Sequence, residues 1–325
     1  MSTDARWMAA AVALGQRGCG RTAPNPAVGC IIVRDGIVIG RGWTHPGGRP
    51  HAEAMALAQA GPAAAGATVY ATLEPCAHVS ARGPACADLL IAARPARVVV
   101  AIGDPDPRTN GAGIARMRAA GISVDVGIGA EAAVAGMAGF LMRQQAGRPR
   151  VTLKLATSLD GRIALPDGSS RWITGPRARI HAHLERARCD MILVGAGTLA
   201  IDVPRLDVRI DGLEGRSPRR AVLGRDPARC PPGWEWISAP EAIGTLAAVD
   251  DLLIEGGAGA AAAFLRADLV DRLLLYRAPL LIGAGLSAVD DIGLGSLDAA
   301  HGRWRLDDAR MLGSDRIEVY ERTSD

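Results

Sequence analysis

Two short stretches in the first half of the chain hold residues able to do chemistry: 51-HAEAM-55, with His51 and Glu53 two apart, and 76-CAHVSARGPAC-86, closed by Cys76 and Cys86. In mid-helix, residues two apart diverge by roughly 200°, at about 3.6 residues per turn, and cannot serve one pocket. Off a helix end they can. Pro50, just ahead of His51, is a first-turn marker because its missing N–H is unneeded there, so the pair is expected at a helix N-terminus. Cys76 falls at the end of an expected strand, and Cys86 at the start of another helix, where the dipole favours a thiolate. One His and two Cys are three protein ligands, the set of a catalytic zinc whose fourth position stays open to water.

A zinc so held lowers the pKa of that water from about 15.7 towards about 7. Glu53 is then the group to take the water's proton and deliver it to a leaving amine. His-x-Glu followed by Pro-Cys…Cys is the arrangement used to deaminate amino-substituted rings. Two blander readings use the same residues. In one, Cys76 and Cys86 are ordinary buried thiols and His51 a satisfied helix-start residue; in the other, His78 completes a closed structural zinc site, which leaves Glu53 without a role.

The elements that must position these residues follow from the apolar pattern. A helix is expected over the opening MSTDARWMAAAVALGQRG, whose apolar run is short and has no convincing cleavage site after it. Residues 27-AVGCIIVRDGIVIGRG-42 read as two strands joined at Asp35-Gly36, a strong hairpin signal. A helix from His51 to about Ala60, a strand over 67-ATVYATL-73, a helix through 88-DLLIAA-93 and a strand over 96-ARVVVAIG-103 complete a helix and sheet sandwich. The pattern breaks near 143-RQQAGRPR-150, which divides the chain into domains 1–146 and 147–325. In the second, 151-VTLKLATSLDG-161, 190-DMILVG-195, 219-RRAVLG-224 and 251-DLLIEGG-257 read as strands of a mainly parallel sheet. The Gly-rich turn after the last of these opens an Ala-rich helix, a place where backbone N–H groups can hold a phosphate.

Composition bounds the rest. With 325 residues, 49% of them hydrophobic and 22% charged, the chain can bury a full core in each of two α/β domains. A net charge of +3 without a basic block gives no footprint for nucleic acid or an anionic membrane, so the partners are expected to be small molecules. No stretch reaches the length of a membrane span. A cytoplasmic location is expected, where the six cysteines stay reduced and a clustered pair points to metal before disulfide. A nucleic-acid base deaminase would share the zinc residues, but it would need a basic track and stacking aromatics, and this chain has only two Phe, three Tyr and six Trp at near-neutral charge.

Nearly the whole chain resembles the bacterial bifunctional riboflavin-biosynthesis deaminase–reductases. In the first domain the matching stretches are 24-PNPAVGCIIV-33, 43-WTHPGGRPHAEAMAL-57, 73-LEPCAH-78 and 103-GDPDPRTNGAG-113. The resemblance implies a cytidine-deaminase-like α/β/α sandwich that removes an exocyclic amine from a phosphoribosylated diaminopyrimidinone. His51, Cys76 and Cys86 are its implied zinc ligands and Glu53 its proton shuttle, with Asn25, His45 and His78 lining the substrate pocket. The family usually has eight residues between the two cysteines; here there are nine, and a usual Thr-Pro-Pro is Gly83-Pro84-Ala85. That departure keeps open a second reading, in which only the reductase half is active and the zinc domain is structural.

The second domain matches over 153-LKLATSLDGRIA-164, 170-SRWITG-175, 195-GAGT-198, 202-DVPRLDVR-209 and 254-IEGGAG-259. Here the resemblance implies a dihydrofolate-reductase-like α/β domain that uses NADPH to reduce the ribosyl chain to ribityl. Ala156, Trp172, Thr198, Asp202 and the turn with Gly257, Ala258 and Gly259 would touch the cofactor. Ser170, Arg186, Leu206, Arg209 and Glu255 would hold the substrate, the arginines being suited to its phosphate. Lys154 alternates with Val151, Leu153 and Leu155, so its side chain leaves their face. Lys154 and Asp202 are the candidates to support proton delivery. A usual second Asp after Asp202 is Val203 here, and Arg225, in place of a common polar pair, either meets the cofactor's 2′-phosphate or faces solvent. The resemblance also implies association into a homo-oligomer, a dimer or tetramer.

Overall fold

The structure, a computed structural model, describes residues 2–78, 80 and 82–323. The chain forms two compact units, one ending at Gly147 and the other beginning at Arg148. In chain order the first contains α1 (Thr3–Gly15), β1 (Gly29–Arg34), β2 (Ile37–Trp43), α2 (Ala52–Ala60), β3 (Thr68–Ala71), α3 (Cys86–Ala93), β4 (Arg97–Val100), α4 (Ala112–Ala119), β5 (Ser123–Val126), α5 (Ala130–Gly136) and α6 (Ala138–Ala146). Its sheet runs β2-β1-β3-β4-β5, antiparallel at β2-β1-β3 and parallel from β3 to β5. Asp35 and Gly36, both at positive φ, make the two-residue turn between β1 and β2.

Helices cover both faces of this sheet, and glycine sets how closely they sit. Gly29 pairs with Trp43, and its neighbour Cys30 pairs with Gly42, so Gly29 and Gly42 face opposite sides. A Cβ on Gly29 would lie 1.8 Å from the Ala11 carbonyl oxygen of α1; one on Gly42 would lie 2.2 Å from that of Ala52 in α2. The strand therefore fixes the start of α2, where His51 and Glu53 stand. The core between the layers includes Met8, Ile32, Ala56, Val69, Leu90, Val99 and Met117, all buried.

The second unit contains β6 (Arg150–Thr157), β7 (Arg162–Ala164), α7 (Pro176–Arg186), β8 (Met191–Gly195), α8 (Ala196–Asp202), β9 (Arg219–Leu223), β10 (Glu235–Ile237), β11 (Asp251–Ile254), α9 (Ala258–Arg266), β12 (Arg272–Arg277), β13 (Leu286–Ser287), β14 (Trp304–Leu312) and β15 (Asp315–Arg322). Its main sheet runs β10-β9-β8-β11-β6-β12-β15-β14. Pairing is parallel from β10 to β12 and antiparallel across β15 and β14. On one face Val151 and Leu153 of β6 pack with Ala261 and Phe264 of α9; on the other, Leu274 and Tyr276 of β12 pack with Ala178 and Ala182 of α7. Lys154 falls on this second face, as its alternation in sequence requires. No helix among the described residues is long and apolar enough to cross a membrane.

Candidate active sites

His51 is the N-cap of α2, with extended backbone angles and no side-chain capping bond, so its ring is free to turn away from the helix. Pro50 lies outside the helix, ahead of that cap, and not in the first turn as its type suggested. Cys76 likewise stands on an irregular stretch beyond the end of β3 at Ala71, whereas Cys86 is the first residue of α3. The backbone N–H of Cys86 donates to the Cys76 sulfur at 3.3 Å, using one of the unpaired donors of the helix start.

The three candidate ligands converge. His51 Nδ1 is 3.6 Å from Cys76 Sγ and 3.3 Å from Cys86 Sγ, and the donor atoms of the three residues lie within 4.8 Å of one another. The Cys86 contact is the main reason that the Cys76 thiol titrates low, at about 4. A readily formed thiolate, a second sulfur and an imidazole nitrogen around one point are a fitting donor set for zinc. His78 is not in this group; its Nδ1 lies 3.4 Å from the Thr109 hydroxyl. The closed site with His78 as fourth ligand is not formed. Glu53 is buried, 3% exposed, within electrostatic reach of His51 and Cys76, and burial raises its carboxyl above the ordinary range.

Among the expected pocket residues, Asn25 touches the metal group directly. Its amide nitrogen lies 3.1 Å from His51 Nε2 and donates to the Gly48 carbonyl at 3.1 Å. His45 instead packs against Trp43, with ring centroids 5.4 Å apart. Glu74, buried at 2% exposure, went unassigned in the sequence although it sits in the LEPC run. Its carboxylate accepts from the backbone N–H groups of Asp104, Gly111 and Ile114.

In the second unit, Glu255 stands just beyond β11 and is gripped by Arg186 of α7 through two bonds of 2.6 and 2.9 Å. Lys154 Nζ is 3.6 Å from the same carboxylate. Although burial alone would raise it, Lys154 and Arg186 bring the Glu255 carboxyl down to about 2, so the group is a buried anion between two cations. Arg186 also donates to the Asp207 carbonyl, and Arg209 pairs with the Asp207 carboxylate at 3.3 Å. Lys154, Arg186 and Glu255 are therefore brought together, with Arg209 joined to Arg186 through Asp207. Leu206 is buried at positive φ beside them in sequence, among Cys189, Ile192 and Val194.

Of the expected cofactor residues, Thr198 meets the turn at the start of α9. Thr198 Oγ1 accepts from Gly257 N–H at 3.0 Å, which joins α8 to the turn that carries Ala258 and Gly259. Trp172 is exposed, with the Arg179 guanidinium 4.8 Å from its ring centre. The Asp202 carbonyl accepts from Arg171, and Ala156 pairs in register with Tyr276. Arg225 is exposed beyond β9. Tyr276, for which a lone Tyr in the Leu-rich run 272-RLLLYR-277 is the sequence signal, adjoins Lys154, and His181 bonds to the Tyr276 hydroxyl.

Comparison with known proteins identifies both domains. The model of the cytidine and deoxycytidylate deaminase zinc-binding region matches residues 1–102, and that of the RibD C-terminal domain matches residues 149–317. The riboflavin biosynthesis protein RibD of Mycobacterium tuberculosis is 42% identical over 92% of this chain and 91% of its own length; that of Escherichia coli is 39% identical over 86% and 89%. Among solved structures, Acinetobacter baumannii RibD superimposes with a TM-score of 0.89 at 36% identity over 99% of each chain. A Thermotoga maritima diaminohydroxyphosphoribosylaminopyrimidine deaminase/5-amino-6-(5-phosphoribosylamino)uracil reductase gives 0.90 at 30% identity over 98% of this chain and 99% of that one. With a cytidine-deaminase-like zinc domain followed by a RibD reductase domain, the chain belongs to the RibD family, the bifunctional deaminase–reductases of riboflavin biosynthesis.

Proposed function

We propose that the first unit hydrolyses the exocyclic amine from 2,5-diamino-6-(5-phosphoribosylamino)pyrimidin-4(3H)-one, and that the second reduces the ribosyl chain of the product to give 5-amino-6-(5-phosphoribitylamino)uracil. The observation that carries the reading is the placement of a buried Glu53 beside the convergent donors of His51, Cys76 and Cys86. Zinc bound by those three residues supplies an acidified water and a Lewis acid. Glu53, whose carboxyl burial makes readier to hold a proton, takes one from the attacking water and returns it to the leaving amine. His45 and His78 hold the pyrimidine edge.

In the second unit NADPH supplies the hydride. Ala156, Trp172, Thr198, Asp202, Gly257, Ala258 and Gly259 hold the cofactor. Ser170, Arg186, Leu206, Arg209 and Glu255 hold the substrate, and Lys154, an ammonium next to the ionised Glu255, supports proton delivery to the heteroatom bonded to the carbon that takes the hydride, with Asp202 as the second candidate. Cytoplasmic location and a homo-oligomeric state complete the reading, supported by the family resemblance.

The test is ammonia release and NADPH oxidation, measured in parallel on zinc-loaded protein given the diaminopyrimidinone. Both are expected. Glu53→Gln should keep its zinc, lose ammonia release by at least about 100-fold, and still oxidise NADPH with pre-deaminated substrate. Unchanged ammonia release in that variant would remove Glu53 from the mechanism; no release from the parent chain would leave the zinc site structural.

A further inference from the structure

Behind Lys154 lies a hydrogen-bonded chain that no role yet uses. Lys154 pairs in register with Leu274, and Ala156 with Tyr276, so Lys154 and Tyr276 share the face of the sheet beneath α7. Tyr276 is 1% exposed, and Lys154 Nζ is 5.9 Å from its ring centre, the outer reach of a cation–π contact. The Tyr276 hydroxyl is 2.7 Å from Nδ1 of His181 in α7, and Nε2 of the same ring is 2.9 Å from the Arg310 guanidinium of β14. A guanidinium only donates, so His181 Nε2 accepts; the ring hydrogen is then on Nδ1 and donates to the Tyr276 hydroxyl. Arg310 thus selects the tautomer, and the tautomer fixes the phenol.

We propose that Tyr276 and His181 are positioning residues for the reduction: the Tyr276 ring, locked by His181, is the wall that holds the Lys154 ammonium against Glu255. Lys154 has four rotatable bonds in its stem and one anionic contact at 3.6 Å, longer than a good charged hydrogen bond. One ionic contact leaves the ammonium room to swing. A ring face on the other side removes that room, and a ring that cannot rotate does so more sharply. The inference rests on the reading of Lys154 as part of the reductase site.

The experiment is a cycle of Tyr276→Phe, His181→Ala and the double variant, assayed for NADPH oxidation with 5-amino-6-(5-phosphoribosylamino)uracil; ammonia release by the same chain and thermal unfolding report on folding. Each single change should lower kcat roughly 3- to 10-fold, the worth of one hydrogen bond, with KM for NADPH unmoved. The double variant should be no worse than either single, because both break the same lock. Tyr276→Leu, which removes the ring face, should cost about 10- to 30-fold. Losses of kcat that multiply in the double variant, or a lowered melting temperature with kcat intact, would overturn the proposal. Lys154→Met separates the premises: if it leaves kcat unchanged, the Lys154 reading fails; if it abolishes reduction while the cycle is flat, only the positioning role fails.

Discussion

At the scale of single residues, Asn25 is bound to the metal group through the far side of the His51 ring. With Nδ1 turned to the sulfurs, a metal-bound ring keeps its hydrogen on Nε2 and donates, so Asn25 holds the ring plane through its amide oxygen once zinc is bound, turned over from the orientation in which its nitrogen faces Nε2 and donates to the Gly48 carbonyl. Outer partners of metal-bound histidines typically carry 10- to 100-fold in affinity. Asn25→Ala should therefore weaken zinc binding by about 10-fold or more in a chelator competition; an unchanged affinity would confine Asn25 to the substrate. Gly48 adds a backbone check, since its φ is +83° and a Cβ there would come within 2.7 Å of the Asn25 side chain. Gly48→Ala should thus weaken zinc in the same assay. The ligands themselves were legible, because His-x-Glu and Pro-Cys are local patterns that a helix start makes meaningful. The Asn25 contact was not, since 26 residues separate it from His51 and only the close packing of the 45–50 turn brings them together. For the same reason the contact of Tyr276 with His181, made across 95 residues, was not legible, although a lone Tyr in a Leu-rich strand marked one of its partners.

At the scale of elements, one buried carboxylate ties the loop after β4 to the cysteine segment. Glu74 accepts from three backbone N–H groups of residues 104, 111 and 114, at 3.2, 2.9 and 3.0 Å. The loop then returns contacts to the segment beyond Cys76: Thr109 meets His78, and Arg116 donates to the Ala77 carbonyl at 3.0 Å. Glu74→Gln keeps the volume but turns one acceptor into a donor facing N–H, a buried mismatch that costs about 1–3 kcal/mol. Zinc-loaded protein carrying this change should melt lower and release ammonia more slowly, with NADPH oxidation on pre-deaminated substrate preserved; an equal loss of both activities would argue for a general folding defect. The elements that frame the sites were readable where turn chemistry or a continuous apolar run marks them, as at the Asp35-Gly36 hairpin and in 190-DMILVG-195. The hairpin of β14 and β15 was not read. β14 is largely exposed, as in 304-WRLDDARML-312, so it lacks the buried alternation by which a strand announces itself.

At the scale of the whole molecule, two cores and two sets of reactive groups share one chain, with His51, Cys76 and Cys86 in the first unit and Lys154, Arg186 and Glu255 in the second. Removing zinc with a chelator should therefore abolish ammonia release and leave NADPH oxidation on pre-deaminated substrate within about 2-fold, read in one sample before and after metal is restored; parallel loss would show that the second unit depends on the first. Stability has its own dependence on pH, seated at the starts of β8 and β11, the strand ends opposite Glu255. Desolvation, helped by the charges of Asp190 and Asp250 and opposed by Arg150, pushes the Asp251 carboxyl up to about 7. A carboxyl with a raised folded-state pKa favours the fold only while it is protonated: its penalty is absent below about pH 4, grows as the pH rises, and is complete above about pH 7. Asp251→Asn keeps the shape and removes the charge. The variant should match the parent's melting temperature near pH 4 and exceed it by a few degrees at pH 8, where a kcal/mol in a unit of this size is worth roughly 2–4 °C. A variant that melts lower at pH 8 would mean that the Asp251 charge, through Arg150, holds the strand ends together instead of straining them.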